Sequence, residues 1–236
     1  MKVLITREKS QAEKTAQLLE KEGFEPVVFP TIRFEKVDFD EKAVLQADIV
    51  IFSSQNAVKF LFEKLSPEKI SNKTVIATGE KTADLLEKRG LKPLIPEIYS
   101  AEGVYQLLSK IPDLRNKKIA VIRPVEGVNT LFELMQNKTD IYPVPVYKTV
   151  ENIPENLKEV KNLLSGGKID VVVFTSPSTF KNFIKIIDKS LLRNTKIAVI
   201  GTTTQKALEK EGITPDIIPS KFTMEELIKN IKQQLF

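Results

Sequence analysis

Two periodicities alternate along the chain. KVLIT, ADIVIF, KTVIA, KKIAVI, KIDVVVF and KIAVI are short, mostly β-branched runs with few polar interruptions, the pattern of strands covered on both faces. Between them, AEKTAQLLEKEG, NAVKFLFEKL, KTADLLEKRG, EGVYQLLSKI, GVNTLFELM, LKEVKNLL, STFKNFIKII and TTQKALEKEG place apolar residues every three or four positions, several of them closing on Gly. Strands alternating with helices in this way predict an α/β protein built on parallel sheets.

The pattern also repeats. DIVIFSSQNAVKFLFE, starting at Asp48, matches DVVVFTSPSTFKNFIK, starting at Asp170, a shift of 122 residues that also carries TVIATGEKTADLLEKRG onto KIAVIGTTTQKALEKEG. A second pair, VLITREKSQAEKTAQLLEKEGFEPVVFPTI and IAVIRPVEGVNTLFELMQNKTDIYPVPVY, aligns Arg7 with Arg123. The chain therefore consists of four segments in the order first kind, second kind, first kind, second kind. They can form two consecutive domains. In the other arrangement the first segment joins the fourth and the second joins the third, with TIRFEKVDF and VYKTVENIP pairing as a two-stranded bridge. The pattern alone leaves both open, and either implies two lobes with a cleft where a ligand can bind.

At 236 residues the length suits one large domain or two of about 100 residues each. Composition narrows the chemistry further. With 42% hydrophobic and 28% charged residues this is the make-up of a soluble globular protein, and no run approaches the roughly 18 apolar residues of a membrane span. The opening MKVLITREKS has too short an apolar run for a signal peptide. The sequence has neither Cys nor His, so disulfides, thiolates and imidazole catalysis are excluded, and zinc would find only carboxylates. Proton transfer falls to Tyr, Lys, Asp, Glu, substrate or water. The net charge of +5 comes without a basic block, which leaves nucleic acid a weak partner, and a small polyanionic ligand suits the balance equally well.

The carboxyl ends of the strands, where open α/β sheets bind ligands, are rich in small hydroxyls: Thr6–Arg7, Ser53–Ser54, Thr78–Gly79, Thr175–Ser176 and Gly201–Thr202–Thr203–Thr204. Each begins a strand-to-helix turn whose first N–H groups lack helical partners and can hold an anion; each hydroxyl can equally cap its own helix. No GxxxxGK[ST] or GxGxxG pattern is present, so nucleotides are poor candidates. Arg7 and Arg123 end equivalent strands and can grip a carboxylate or pair with Glu8 or Glu126; Lys148 and Lys168 are flanking cations. Asp48 and Asp170 precede their strands, at the other end of the sheet.

The TR after the first strand, the FSSQNAV and FTSPSTF turns, TGEKTADLLEKRG, GTTTQKALEKEG and VYKT together resemble the uroporphyrinogen-III synthase family, over essentially the whole chain. The resemblance implies two similar, flavodoxin-like parallel-sheet α/β lobes joined by a two-stranded linker, with the chain crossing out and back. One lobe would hold residues 1–35 and 150–236, the other 39–145, with linker segments 36–38 and 146–149. The crossed pairing follows from that resemblance. So does the place of YPVPVYKTV, Tyr142 to Val150, at the return crossing, with Tyr147 facing the cleft rather than a core.

The implied activity is that of a cyclising hydro-lyase without a cofactor. It takes the linear tetrapyrrole hydroxymethylbilane, expels its terminal hydroxyl as water, inverts ring D and closes uroporphyrinogen III. Tyr147 would be the general acid. Thr6, Arg7, Ser53, Ser54, Thr78, Gly79, Arg123, Ser176, Gly201, Thr202, Thr203 and Thr204 would contact the substrate. The expected protein is a cytoplasmic monomer with no metal and no nucleic-acid or membrane partner. The non-enzymatic alternative is a two-lobe binding protein for a small polyanion. The chain departs from the family pattern at Gln55, where proline is common, and at Glu80–Lys81, which stand in place of a threonine-rich run.

Overall fold

The computed structural model describes residues 1–235. In chain order the elements are β1 (Lys2–Ile5), α1 (Lys9–Lys21), β2 (Glu25–Val28), β3 (Ile32–Lys36), α2 (Glu41–Leu45), β4 (Ile49–Phe52), α3 (Gln55–Leu61), β5 (Thr74–Ala77), α4 (Glu80–Glu87) and α5 (Ala101–Ser109). They continue with β6 (Lys118–Pro124), α6 (Thr130–Met135), β7 (Asp140–Glu151), α7 (Leu157–Ser165), β8 (Val171–Phe174), α8 (Pro177–Ile186), β9 (Lys196–Val199), α9 (Thr202–Glu209) and α10 (Met224–Leu235). The chain folds as two compact units, one of residues 1–33 with the stretch from Val150 onward, the other of residues 34–149. None of the described helices is long and apolar enough to cross a membrane.

The first unit contains a parallel sheet in the order β2–β1–β8–β9. Val3, Leu4 and Ile5 lie opposite Val171, Val172 and Val173. KVLIT thus shares a sheet with KIDVVVF, as the crossed arrangement requires. Both faces are covered, which is why these strands read as unbroken apolar runs. On one side α1 buries Ala12, Thr15 and Leu19, and α10 buries Met224, Leu227, Ile228 and Ile231, each at helical spacing. On the other, Phe174 sits edge-on to Phe180 and Phe183 at centroid distances of 5.3 and 5.2 Å, and Phe183 meets Phe29 at 6.0 Å.

The second unit's sheet runs β3–β7–β6–β4–β5, with Ile49 to Phe52 opposite Ile119 to Ile122 on one side and Thr74 to Ala77 on the other. β7 is a twelve-residue strand despite Pro143 and Pro145. Both prolines precede the part of β7 bonded to β3, where Val37 N donates to Val146 O and Asn152 N donates to Thr31 O. There β7 has only β6 beside it, so a missing N–H on the other side costs little. Val144, Val146 and the ring of Tyr147 enter the core.

The repeat is visible in the details. Asp48 and Asp170, at the amino edges of their sheets, accept hydrogen bonds from Lys118 N and Lys2 N at 2.9 and 2.6 Å. Those carboxylates align neighbouring strands and stand away from the ligand edge. Gly90 and Gly212 end equivalent helices at φ values of 81° and 75°, which L-residues adopt only with strain.

Phe174 is completely buried and meets two other phenylalanines, so Phe174→Ala should destabilise the chain by about 3–5 kcal/mol in urea unfolding. Ile153→Ala, at an exposed position, should stay within about 0.5 kcal/mol of wild type. A loss below about 1 kcal/mol for Phe174→Ala would contradict this packing.

Candidate functional site

Parallel pairing brings the strand ends of each sheet to one edge. In the second unit Phe52 lies opposite Ile122 and Ala77. Ser53, Arg123 and Thr78 therefore emerge side by side, with neighbouring strands about 5 Å apart. Ser53 N donates to Ile122 O and Thr78 N to Phe52 O, at 3.1 and 3.2 Å, continuing the register past the strands. These residues, with Ser54 and Tyr147, line a cavity of about 330 Å³. Its walls come mainly from apolar side chains of α5, β6 and α6.

Tyr147 reaches this cavity from the core. Its ring stacks on Phe60 at 5.2 Å and 15°, meets Phe34 edge-on at 5.4 Å, and leaves the residue 6% exposed. The expected placement clear of the core is thus corrected: the ring packs in the second unit's core, and the hydroxyl is at the pocket wall, 3.2 Å from Ser54 Oγ. Burial pushes the phenol's pKa up, although its bonds with Ser54 and Asn56 pull the other way. The group is held protonated. Ser54 also caps α3, accepting from Ala57 N at 3.1 Å.

Arg123 is 7% exposed. Its Nη1 donates to Asn129 Oδ1 at 3.2 Å, its Nε to Pro124 O at 3.3 Å, and its guanidinium lies over Phe132 at 5.3 Å. Burial lowers its pKa. Ser53 Oγ is buried with no hydrogen-bond partner.

At the first unit's edge the expected residues divide. Thr6 is fully buried and its hydroxyl donates to Val173 O at 2.8 Å, tying β1 to β8; its expected ligand contact is corrected to a structural bond. Arg7 Nη1 donates to Thr15 Oγ1 at 3.3 Å, and its Nε is buried without a partner. Burial lowers the Arg7 pKa, opposed by Glu225 and Glu8. Ser176 forms a capping box with Thr179. Thr204 is buried, its N–H bonded to Gly201 O, whereas Thr202 and Thr203 are exposed at the start of α9. Lys148 pairs with Glu35 at 3.1 Å. Lys168 precedes β8 and so stands at the opposite, amino edge.

Gly79 and Gly201, unlike Ser54 and Ser176, begin their helices without a side-chain cap. Over each lies an aromatic ring that sequence reasoning missed. Tyr99 is 3.8 Å from where a Cβ on Gly79 would be, and Phe222 3.2 Å from that of Gly201, a tight approach. The rings are 56% and 58% exposed. They are equivalent: Leu94 and Ile217 bridge to matching strands, and from there the repeat continues at a shift of 123 residues onto Tyr99 and Phe222. One inserted residue hid the correspondence. The departures from the family pattern also find partners, since Glu80 Oε1 accepts from the Tyr99 hydroxyl at 2.7 Å and Gln55 Nε2 donates to Lys81 O at 2.8 Å.

Comparison with known proteins agrees along the whole chain. A family model described as uroporphyrinogen-III synthase HemD matches residues 13–229. A uroporphyrinogen-III synthase from Chlorobaculum parvum is 36% identical, covering 99% of this chain and 98% of that protein. A putative uroporphyrinogen-III synthase from Methanocaldococcus jannaschii is 32% identical, covering 99% and 100%. In fold, the chain resembles the uroporphyrinogen-III synthetase crystal structure from Helicobacter pylori (TM-score 0.70, 23% identity, 100% and 99% covered). It also resembles a mutant uroporphyrinogen III synthase from Thermus thermophilus (TM-score 0.65, 20% identity, 100% and 98% covered). The chain belongs to the uroporphyrinogen-III synthase family.

Proposed function

We propose that this chain converts hydroxymethylbilane to uroporphyrinogen III, closing the macrocycle with inversion of ring D and loss of water. The observation that carries this reading is the family match over residues 13–229. It also disfavours the non-enzymatic polyanion-binding alternative. In this reading the chain is a cytoplasmic monomer, and residues 36–38 and 146–149 serve as the joint between its lobes.

The Tyr147 hydroxyl gives its proton to the departing hydroxyl, which leaves as water; the electron pair of the broken C–O bond goes with it. The resulting azafulvene cation is attacked by the substituted carbon of ring D. The spiro species opens and recloses with the ring turned over, and loss of a proton restores the pyrrole. A phenol whose pKa burial holds up is present as the acid at neutral pH. Its core packing fixes the direction of transfer. The larger task is to hold the bilane in shape, which we assign to donors at the strand ends: Ser53, Ser54, Thr78, Gly79 and Arg123 in the second unit, and Arg7, Ser176, Gly201, Thr202 and Thr203 in the first.

Freshly prepared hydroxymethylbilane closes without enzyme to the type I isomer. The purified chain should give type III product, separable chromatographically, and exclusive type I product would refute the assignment. Tyr147→Phe keeps the ring and removes the proton donor, so kcat should fall by about 10²–10⁴-fold while residual product remains mainly type III. If Tyr147 serves only packing, kcat will stay near wild type.

A further inference from the structure

The two arginines that the repeat aligns are not in equivalent surroundings. Arg7 has the carboxylates of Glu225 and Glu8 acting on it. Arg123 is 7% exposed and, among the described residues, has no carboxylate acting on it. Its hydrogen-bond partners, Asn129 Oδ1 and Pro124 O, are neutral, and the Phe132 ring lies beneath it. Burying a guanidinium is costly unless an anion compensates it. Beside it on the neighbouring strand is Ser53, whose buried hydroxyl has no partner. Both residues line the same cavity, whose walls include the apolar Val104, Val121 and Leu131. At about 330 Å³ the cavity lies at the lower end of the range for small-molecule sites, enough for one substituted ring rather than a tetrapyrrole.

We propose that this pocket of the second unit seats a single pyrrole ring of the substrate, with one of its carboxylates on Arg123. The inference rests on the function proposed above and deepens it. An apolar wall receives the ring face, and the guanidinium fork matches a carboxylate.

Gly127 is the positioning residue in this arrangement. A Cβ there would lie 2.1 Å from Arg123 Nη2 and 2.7 Å from Cζ, so any side chain at 127 must push the guanidinium from its place. The stretch 125–129 crosses the arginine and carries the 82% exposed Val128 at the pocket rim. Because the clash is with the mobile end of a side chain, Gly127→Ala should displace Arg123 without unfolding the unit.

The test uses the full chain and a monopyrrole bearing acetate and propionate arms, titrated calorimetrically beside its neutral dimethyl ester. The wild type should bind the acid about tenfold to a hundredfold more tightly than the ester. Arg123→Gln should abolish that preference. Gly127→Ala should weaken acid binding about tenfold with an unchanged melting temperature, and both variants should raise KM for the bilane more than they lower kcat. Equal binding of acid and ester by the wild type, no binding of either, or unchanged acid binding by Arg123→Gln and Gly127→Ala would overturn the inference. Type III synthesis by the wild type would meanwhile leave the proposed function standing. Failure of type III synthesis alongside an Arg123-dependent preference for the acid would refute the function and not the carboxylate site.

Discussion

Parallel register is the constraint on which the rest of this molecule depends. When strands run in the same direction, every carboxyl end arrives at one edge and every following helix starts there with unpaired N–H groups. The pairing of Phe52 with Ile122 and Ala77 puts a serine, an arginine and a threonine side by side without any long-range device. The same pairing of Ile5 with Val173 sets Thr6 against β8 in the first unit. The two sheets use their edges differently. In the first, Thr6 bonds to β8 and Arg7 to Thr15, and the exposed hydroxyls are those of Thr202 and Thr203. In the second, the charge of Arg123 meets only neutral partners at the cavity wall.

Burial explains why polar groups in the second unit have such defined positions. The Tyr147 ring contributes apolar area to the core and its hydroxyl meets Ser54, so the residue is anchored by packing and presents only its polar end. Arg123 is held in the same manner, with Phe132 under the guanidinium and Gly127 giving it space. A reacting or binding group fixed by the core loses little entropy when a ligand arrives.

Much of this was legible in the residues. β-Branched runs marked the strands because both sheet faces are covered, and the glycines after EKR and EKE marked helix ends because the chain there turns left-handed. The shift of 122 residues made the repeat evident, and the family resemblance chose the crossed pairing. Burial at the strand ends was less legible. Thr6 and Thr203 look alike in sequence, yet one faces β8 and the other is exposed, a difference set by tertiary neighbours. GVNTLFELM reads as helix throughout, but α6 begins only at Thr130, and the residues before it fold across Arg123. The resemblance put Tyr147 clear of the core, yet its ring is core, since alternation cannot say which face a phenol joins. Tyr99 and Phe222 were hidden by one inserted residue.

The central claim is that the core holds the Tyr147 phenol protonated at the wall of the pocket. The chain has four tyrosines, so a carbon-13 NMR titration of labelled tyrosine, assigned with single Tyr→Phe variants, reads each phenol directly. Tyr147 should titrate above the ordinary value near 10, raised by burial, whereas Tyr105, bonded to Lys138, should titrate below it. A Tyr147 phenol that ionises at or below 10 would contradict the account.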